Sequence, residues 1–330
     1  MLISVIVPCY NEAEALPYFF RAMEETRAAF RTDWDCELEL LFVDDGSRDG
    51  TLDLLRAAAK RDSGVRYLSF SRNFGKEAAM YAGLQHARGD YVALMDADLQ
   101  NPPATLLEMY QVLQGGGWDC AAARRTTRKG EPPIRSFFAR LFYRIINRIS
   151  DTEIVDGAFD FRMMTRQMVD AVLSLGEYNR FSKGIFSWVG FRTKWLPYEN
   201  VERVAGKTKW SFWSLLVYAI EGIVGFSTAP LALVTCLGLV LCAAAFLTVL
   251  YIIGKTLLFG DPVGGWPSLA CFVMFLGGVQ LFGMGILGEY LAKTYLEVKR
   301  RPIYLLAEQW PEDWGPRRNA PKHGKNGEAP

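Results

Sequence analysis

The sequence predicts an α/β protein with a mainly parallel sheet, followed by a hairpin of two long apolar helices. Over residues 1–125, short runs of β-branched and apolar residues alternate with helical stretches, which is typical of a parallel sheet with helices on both faces. Further on, Gly222–Gly254 and Pro262–Gly288 contain no charged residue over 33 and 27 positions. Because a helix crosses a bilayer with about 20 apolar residues, each stretch is long enough to span a membrane.

The composition limits the classes of protein to which the chain can belong. Its 330 residues include 37 Lys and Arg against 36 Asp and Glu, so the overall charge gives no reason to expect a nucleic-acid partner. A hydrophobic content of 50% excludes a disordered chain. The six cysteines show no paired spacing, so we expect free thiols, and no pattern indicates zinc. The N-terminus lacks a basic leader and a cleavage site, so the first domain is expected in the cytosol.

The first three strands are predicted at short runs that are rich in β-branched, aromatic and other apolar residues, which is typical of buried strands. These strands are Leu2–Pro8, Leu38–Val43 and Val65–Phe70. A helix is predicted after each of them, at Glu12–Phe30, Thr51–Arg61 and Lys76–Ala87, with Ser47 or Asp49 near the start of the second as a cap.

Two further strands complete the predicted sheet. Tyr91–Met95 is the fourth, and Trp118–Ala123 is the fifth. Pro102 and Pro103 are expected to open the helix between them, since proline is tolerated in the first turn of a helix. One more helix is expected near Gln167–Leu175.

Polar residues cluster at the ends of three predicted strands, in Pro8–Glu12, Asp44–Ser47 and Asp96–Gln100. Ligands of open α/β sheets bind beyond the carboxyl ends of the strands, so these clusters predict a shared site. Within it, Asp96, Asp98 and Gln100 are candidate ligands of one hard cation, because carboxylate and amide oxygens suit Mg²⁺ or Mn²⁺. The alternative is that the two aspartates only form a turn before the following helix.

Segment 131–150 is predicted to be an amphipathic helix that lies in a membrane interface. Arg140, Arg144 and Arg148 recur at helical spacing on one side. The opposite side is apolar, with Phe138, Leu141, Phe142, Ile145, Ile146 and Ile149. The alternative is an ordinary helix that packs on the sheet and exposes a basic face to solvent.

The two apolar stretches are expected to span the membrane as Pro230–Gly254 and Trp266–Leu291. Lys255 is the only basic residue of the short loop between them, whereas several basic residues flank the pair, so both termini are predicted to be cytosolic. The predicted organisation is a cytosolic domain (1–210), a juxtamembrane amphipathic helix (211–228), the two spans (229–292) and a cytosolic tail (293–330) that is disordered from Pro311. The alternative for the spans is a helical hairpin buried in a soluble core.

Several motifs, in order over roughly residues 1–300, resemble glycosyltransferase family 2. They are Val5–Glu12 (VIVPCYNE), Val43–Thr51 (VDDGSRDGT), Ser71–Glu77 (SRNFGKE), Asp96–Pro103 (DADLQNPP), Asp160–Arg162 (DFR) and Arg203–Lys209 (RVAGKTK). Within the family, the chain is most similar to the polyprenyl-phosphate branch, which includes bactoprenol glucosyl transferases and, more distantly, dolichol-phosphate mannose synthases.

The resemblance implies a GT-A (Rossmann-like) fold, a nucleotide-sugar donor, a divalent cation (Mg²⁺ or Mn²⁺) and inversion at the anomeric carbon. By motif, the nucleoside pocket would be lined by Pro8, Tyr10, Glu12 and Asp45, with Lys76 near the base. The metal would be held on the donor pyrophosphate by Asp96, Asp98 and Gln100, and cationic contacts to that group would come from Arg203 and Lys209. Lys207 departs from the acidic residue that is often found at its position.

The resemblance assigns the catalytic role to Asp160, together with Asp98. The glycine that usually precedes this aspartate is Phe159 here, and Gly157 lies two residues before Phe159. A phosphate monoester has a second pKa of about 6, so a lipid-phosphate acceptor would be largely ionised without a base. Asp160 would then either remove the remaining proton or orient the acceptor. The structural alternative is a buried aspartate paired with Arg162.

A basic segment precedes the predicted interfacial helix and is the expected site of the acceptor phosphate. Arg124, Arg125 and Arg140 are the candidate contacts, and Arg124 is the first choice. The alternative is a solvated cationic surface that attracts anionic lipids in general.

The resemblance as a whole implies transfer of a hexose, with glucose from UDP-glucose favoured, to undecaprenyl or another polyprenyl phosphate at the cytosolic face of a bacterial inner membrane. Alternatives are another sugar (mannose, GlcNAc or an aminoarabinose type), a processive polysaccharide synthase, and a non-catalytic membrane scaffold. The expected partners are the membrane, a second copy of the chain in a homo-oligomer, and a separate flippase.

Overall fold

The computed structural model describes residues 1–125, 143–150, 154–198, 223–259, 265–312 and 314–316. The strands are β1 (Leu2–Cys9), β2 (Glu37–Asp44), β3 (Val65–Phe70), β4 (Tyr91–Leu94), β5 (Cys120–Arg125), β6 (Ala158–Thr165), β7 (Thr193–Tyr198) and β8 (Leu306–Trp310). The helices are α1 (Leu16–Trp34), α2 (Thr51–Arg61), α3 (Lys76–His86), α4 (Thr105–Gln114), α5 (143–149), α6 (Arg166–Ser174), α7 (Ser182–Trp188), α8 (Ala229–Phe259) and α9 (Trp266–Val298).

The eight strands form one mixed sheet in the order β7-β5-β6-β4-β1-β2-β3-β8. The central strands β4, β1, β2 and β3 are parallel, whereas β6 and β8 run antiparallel to their neighbours. Alternate side chains of β1 pack into two different hydrophobic cores, because successive residues of a strand point to opposite faces of the sheet. Val5 and Val7 pack in the core on one face, and Ile6 packs in the core on the other. The mainly parallel α/β sheet predicted from the sequence is therefore confirmed.

Helix α2 and strand β3 have the predicted bounds, and the other predicted elements of this half differ by a few residues at their ends. The fifth strand begins at Cys120, since Trp118 is 38% exposed and precedes the sheet. The helix predicted to open at Pro102 begins at Thr105, because the prolines lie in a turn in which Thr105 N donates to the Pro102 carbonyl at 3.1 Å. Strand β6 was not predicted, and it separates β4 from β5.

Helices α8 and α9 have 31 and 33 residues, which corresponds to about 46 and 50 Å of helix. Their apolar windows, Ala229–Thr248 and Phe275–Val298, have mean hydropathies of 2.5 and 1.3, and neither window is buried in the protein. Leu239 is 67% exposed, and Phe272 is 68% exposed. Exposed apolar surface on this scale is typical of contact with lipid and indicates membrane association.

The predicted interfacial helix is described only from residue 143. In α5, Arg144 and Arg148 are exposed, whereas Ile146 is fully buried and packs with Ile154 and Phe181. Ile145, which the pattern also places on the apolar side, is 40% exposed, so α5 shows only part of the predicted division and the amphipathic helix stays a prediction. The remainder of segment 131–150 and the predicted juxtamembrane helix up to residue 222 lie outside the described residues, so the placement of both in the membrane interface stays a prediction.

The chain returns to the sheet after α9, which the sequence did not indicate. Strand β8 pairs antiparallel with β3, and the Glu308 carboxylate accepts hydrogen bonds from Arg56 Nε at 3.0 Å and from the Tyr67 hydroxyl. Strand β3 thus gains a hydrogen-bonded neighbour on its outer side. The segment after α9 is therefore part of the folded domain.

The predicted disorder from Pro311 is wrong for Trp314. This side chain is 1% exposed, and its ring lies 5.5 Å from the His86 ring, between centroids. The guanidinium carbons of Arg66 and Arg88 lie 5.1 and 5.9 Å from the centre of the indole. Burial of an indole offsets entropy that is lost when the tail residues become ordered, which favours folding of this segment onto the sheet.

We expect Trp314→Ala to lower the free energy of unfolding by about 3–5 kcal/mol, because the substitution removes a fully buried aromatic side chain. Thermal unfolding of the detergent-solubilised protein measures the effect. Trp310→Ala is the matched control, since Trp310 is in the same segment but is 38% exposed, and its effect is expected to stay below about 1 kcal/mol. Equal effects of the two substitutions would contradict the assigned burial of Trp314.

Candidate active site

Strand pairing brings two distant aspartates to one edge of the sheet. Leu94 of β4 pairs with Arg162 of the antiparallel strand β6. Moving two residues forward from Leu94 and two residues back from Arg162 leads to Asp96 and Asp160. This edge also carries the carboxyl ends of β1 and β2, so the clusters predicted from the sequence converge there.

Lys76, the first residue of α3, joins these aspartates. Its Nζ lies 2.7 Å from Asp96 Oδ1 and 2.8 Å from Asp160 Oδ2. Burial alone would raise the pKa of Asp160, but the Lys76 ammonium outweighs it and holds the pKa of this carboxyl well below its usual range. Burial would lower the pKa of Lys76, and the two carboxylates raise it instead. The site is therefore built on a charged triad, in which Lys76 contacts the candidate metal ligand Asp96, and its predicted place near the nucleobase stays a prediction.

The alternative pairing of Asp160 with Arg162 is not what the structure has. Arg162 is buried, donates to the Phe159 carbonyl at 2.9 Å and stacks over the Phe186 ring at 3.9 Å. Among the described residues, the Asp160 carboxylate forms its ion pair with Lys76. Gly157 has a φ of 79°, so the left-handed residue ahead of the strand is supplied there and Phe159 has no need of a glycine conformation.

Asp45 holds the loop that leads into α3. Its carboxylate accepts hydrogen bonds from the backbone N–H groups of Phe74 at 2.6 Å and Gly75 at 2.9 Å. Burial raises the pKa of Asp45 to about 6 despite these bonds. Gly46, with a φ of 67°, allows the close approach of the two loops, since a Cβ there would lie 2.5 Å from the Arg72 carbonyl carbon.

The loop after β1 is bonded to the loop after β2. Asn11, with a φ of 54°, donates from its backbone N–H to Ser47 Oγ at 2.8 Å and accepts from the Arg48 N–H at 2.8 Å. Glu12 donates from its backbone N–H to Thr51 Oγ1 at 2.8 Å. The predicted pocket residues here are all half-buried: Pro8 near the end of β1, and Tyr10 and Glu12 in the loop that follows. They are thus held on a fixed backbone beside Asp45.

The three candidate metal ligands lie on one turn at the end of β4. Asp98 Oδ1 accepts from the Gln100 N–H at 3.2 Å, Leu99 has a φ of 54°, and the Tyr198 hydroxyl donates to the Gln100 carbonyl. Asp96 and Asp98 are both half-buried. Among the described residues no group of three or more His, Cys, Asp and Glu has the geometry of a metal site. Two carboxylates and an amide fit a hard divalent cation that takes its other ligands from water and phosphate.

The predicted acceptor contacts are only partly described. Arg124 is exposed on β5, its Nε donates to the Asp156 carbonyl at 3.2 Å, and it pairs in the sheet with Ala158, two residues before Asp160. The backbone of Arg125 ends β5. Arg140, Arg203 and Lys209 lie outside the described residues, so their roles stay predictions.

Two carboxylates at the site, Glu77 and Asp44, make hydrogen bonds that the sequence did not predict. Glu77 accepts hydrogen bonds from the backbone N–H and the hydroxyl of Ser182, the first residue of α7. Asp44 accepts from the Ser47 N–H at 3.1 Å and the Ser69 hydroxyl at 2.8 Å. Glu77 follows Lys76 directly and could have been suspected, whereas Ser182 carries no local signal.

Comparison with known proteins gives a consistent family. The model of glycosyl transferase family 2 matches residues 4–173. A prophage bactoprenol glucosyl transferase homolog of Escherichia coli (strain K12) is 42% identical over 306 residues, covering 93% of this chain and 98% of the relative. An SfII prophage-derived bactoprenol glucosyl transferase of Shigella flexneri is 44% identical over 306 residues, covering 93% of this chain and 97% of the relative.

Two solved structures are similar at lower identity. One is a mannosyltransferase of Pyrobaculum calidifontis in complex with GDP-Man and Mn²⁺, at 20% identity and a TM-score of 0.45, covering 89% of this chain and 84% of that one. The other is a glucosyl-3-phosphoglycerate synthase of Mycobacterium tuberculosis in complex with Mn²⁺, UDP-glucose and phosphoglyceric acid, at 18% identity and a TM-score of 0.44, covering 68% of this chain and 77% of that one.

The fold, the motifs at the strand ends and the relatives agree, and the resemblance seen in the sequence is confirmed. The chain is a glycosyltransferase with a GT-A fold, and it belongs to glycosyl transferase family 2.

Proposed function

We propose that the protein transfers glucose from UDP-glucose to a polyprenyl phosphate at the cytosolic face of a bacterial inner membrane. The observation that carries the proposal is the Asp96–Lys76–Asp160 triad at the sheet edge, in a chain with two exposed apolar helices. Relatives that are 42% and 44% identical over nearly their whole length carry the name bactoprenol glucosyl transferase, which supports glucose as the sugar and a lipid phosphate as the acceptor.

Asp96, Asp98 and Gln100 would hold Mg²⁺ or Mn²⁺ together with the donor pyrophosphate. When bound, such a cation neutralises the charge that develops on the leaving nucleoside diphosphate. Lys76 supplies a fixed positive charge beside Asp96, and this charge contributes in the same sense. Pro8, Tyr10, Glu12 and Asp45 would line the nucleoside pocket, on loops whose backbones are bonded to one another.

The acceptor is the nucleophile in this reaction. An oxygen of the lipid phosphate bonds to the anomeric carbon as the bond from that carbon to the nucleoside diphosphate breaks, and inversion of an α-linked donor gives a β-linked product. The acceptor phosphate is largely ionised near neutral pH. The pKa of Asp160 is held well below its usual range, which makes this carboxylate a weak base. We therefore assign Asp160 to fixing Lys76 and orienting the acceptor, with Arg124 as the first phosphate contact.

The hairpin would span the membrane with both termini in the cytosol, and packing through its two helices would allow a homo-oligomer. A separate flippase would then carry the lipid-linked sugar across the membrane. Another sugar on the same lipid is the second candidate function. A panel of nucleotide sugars, with the lipid products identified by mass spectrometry, separates it from glucose.

The proposal is tested with membranes that contain the protein, labelled UDP-glucose, undecaprenyl phosphate and Mg²⁺ or Mn²⁺. We expect a labelled monophosphoryl lipid, its loss on chelation of the metal, and a roughly 100-fold or larger drop in kcat for Asp98→Ala. Asp33→Ala, at an exposed carboxylate of α1, is the control and is expected to keep wild-type activity. Absence of lipid product with every nucleotide sugar would overturn the proposal, and long polymer would favour a processive synthase.

Donor binding is expected to weaken as the pH falls through the pKa of Asp45, which is about 6. The nucleobase of the donor would donate an N–H to the ionised Asp45 side chain. Protonation of Asp45 removes this charged acceptor, whereas UDP-glucose itself does not titrate in this range. The donor Kd measured by calorimetry should therefore rise about twofold at pH 6 and roughly tenfold at pH 5, relative to pH 8. Asp45→Asn should make the Kd independent of pH, and a wild-type Kd that stays constant from pH 8 to pH 5 would contradict the assigned role.

A further inference from the structure

The cytosolic end of α9 is bonded to the catalytic domain through one carboxylate. Glu297 accepts hydrogen bonds from the backbone N–H groups of Tyr178 at 2.9 Å and Asn179 at 3.1 Å. The Asn179 side chain donates to the same carboxylate at 3.3 Å and to the Lys293 carbonyl at 3.4 Å. A helix that we assign to the membrane thus fixes the backbone of a loop in the catalytic domain.

A cavity of about 690 Å³ surrounds this contact. Its walls are the loop before α3, the loop at 177–181 and the last turns of α9. Arg72, Arg180 and Tyr290 are among the residues that line it. Across this open space, the hydrogen bonds of Glu297 connect α9 to the loop at 178–179.

The loop held by Glu297 leads directly into α7. Ser182, the first residue of α7, donates its backbone N–H to Glu77 at 3.1 Å and also donates its hydroxyl. An acceptor at this position satisfies a free N–H group of the helix start. Glu77 is the neighbour of Lys76 in α3. The loop leads into α7, α7 is hydrogen-bonded to Glu77, and the adjacent Lys76 forms ion pairs with Asp96 and Asp160, so these elements are connected.

The other end of the hairpin presses on the same helix. Phe226, shortly before α8, packs against Phe181 with 5.8 Å between ring centroids. It also covers Gly184 of α7, where a Cβ would lie 2.5 Å from the phenyl ring. Burial raises the pKa of Asp160, whereas Lys76 and then Lys183 of α7 lower it, so Lys183 lies near enough to the site to act on this carboxyl. Helix α7 therefore lies between the hairpin and the catalytic residues.

We infer that Glu297 is a positioning residue for the transfer reaction. By fixing the loop at 178–179, it holds α7 against Glu77 and thereby keeps Lys76 between Asp96 and Asp160. The hairpin then contributes to positioning the catalytic residues, in addition to its proposed role as an anchor. The inference rests on the proposed function.

The test compares Glu297→Ala with Glu297→Gln in the full chain, reconstituted in vesicles with undecaprenyl phosphate and UDP-glucose. Glu297→Ala should lower kcat about tenfold or more, because it releases the loop, and should leave the KM for the donor unchanged. Glu297→Gln should keep at least about half of the wild-type kcat, since its amide oxygen still accepts from both N–H groups. Asp33→Ala, at an exposed carboxylate of α1 far from the hairpin in the chain, is the control and should keep wild-type kcat.

Gly184→Ala provides a second variant if Glu297→Ala fails to fold. Its added methyl displaces Phe226 from α7 and should lower kcat with the donor KM unchanged. Wild-type kcat in either folded variant, or an equal loss in Glu297→Gln and Glu297→Ala, would overturn the inference. A wild-type protein that gives no glucosyl lipid would instead overturn the proposed function, so the two failures are distinguishable.

Discussion

The site depends on four consecutive residues at the start of α3. The backbone N–H groups of Phe74 and Gly75 are bound by Asp45, Lys76 is shared by Asp96 and Asp160, and Glu77 binds the first residue of α7. Contacts from β2, β4, β6 and α7 thus meet at one short segment. Of these contacts, the Lys76 ion pairs impose the strongest constraint. A partly buried ammonium is stable only with its carboxylates in place, and removing one partner leaves an uncompensated charge.

Much of this arrangement could be predicted from the sequence. Apolar runs followed by polar clusters located the ends of β1, β2 and β4, because parallel strands end at a common edge. The nearness of Asp160 to Asp96 required the family resemblance, since it depends on the antiparallel pairing of β4 with β6 across more than 60 residues of chain. The direction of the Lys76 side chain could not be predicted, because the start of a helix fixes the position of a residue but not which of several nearby carboxylates it binds.

The C-terminal part was the least predictable from local pattern. The apolar stretches identified α8 and α9 directly, since length and absence of charge are sufficient signals. Strand β8 has only five residues, and Trp314 stands in a segment rich in proline and charge, so composition alone indicated a free tail. Their burial comes from the unpaired edge of β3 and the space beside His86, which are features of the folded sheet. In chain order, the two long helices therefore lie between β7 and β8, which are strands of one sheet. The chain at the two outer ends of this helical pair contacts the catalytic domain at α7 and at the loop that leads into α7.

A double-mutant cycle between Lys76→Met and Asp160→Asn, measured on kcat for glucosyl transfer, tests the central claim most directly. If Lys76 and Asp160 act as one charged unit, each single variant loses activity and the double variant is about as slow as the slower single one. The coupling free energy should then exceed about 1 kcal/mol. If instead the activation free-energy changes of the two single variants sum to that of the double variant within about 0.5 kcal/mol, the two residues act independently. That result would contradict the account.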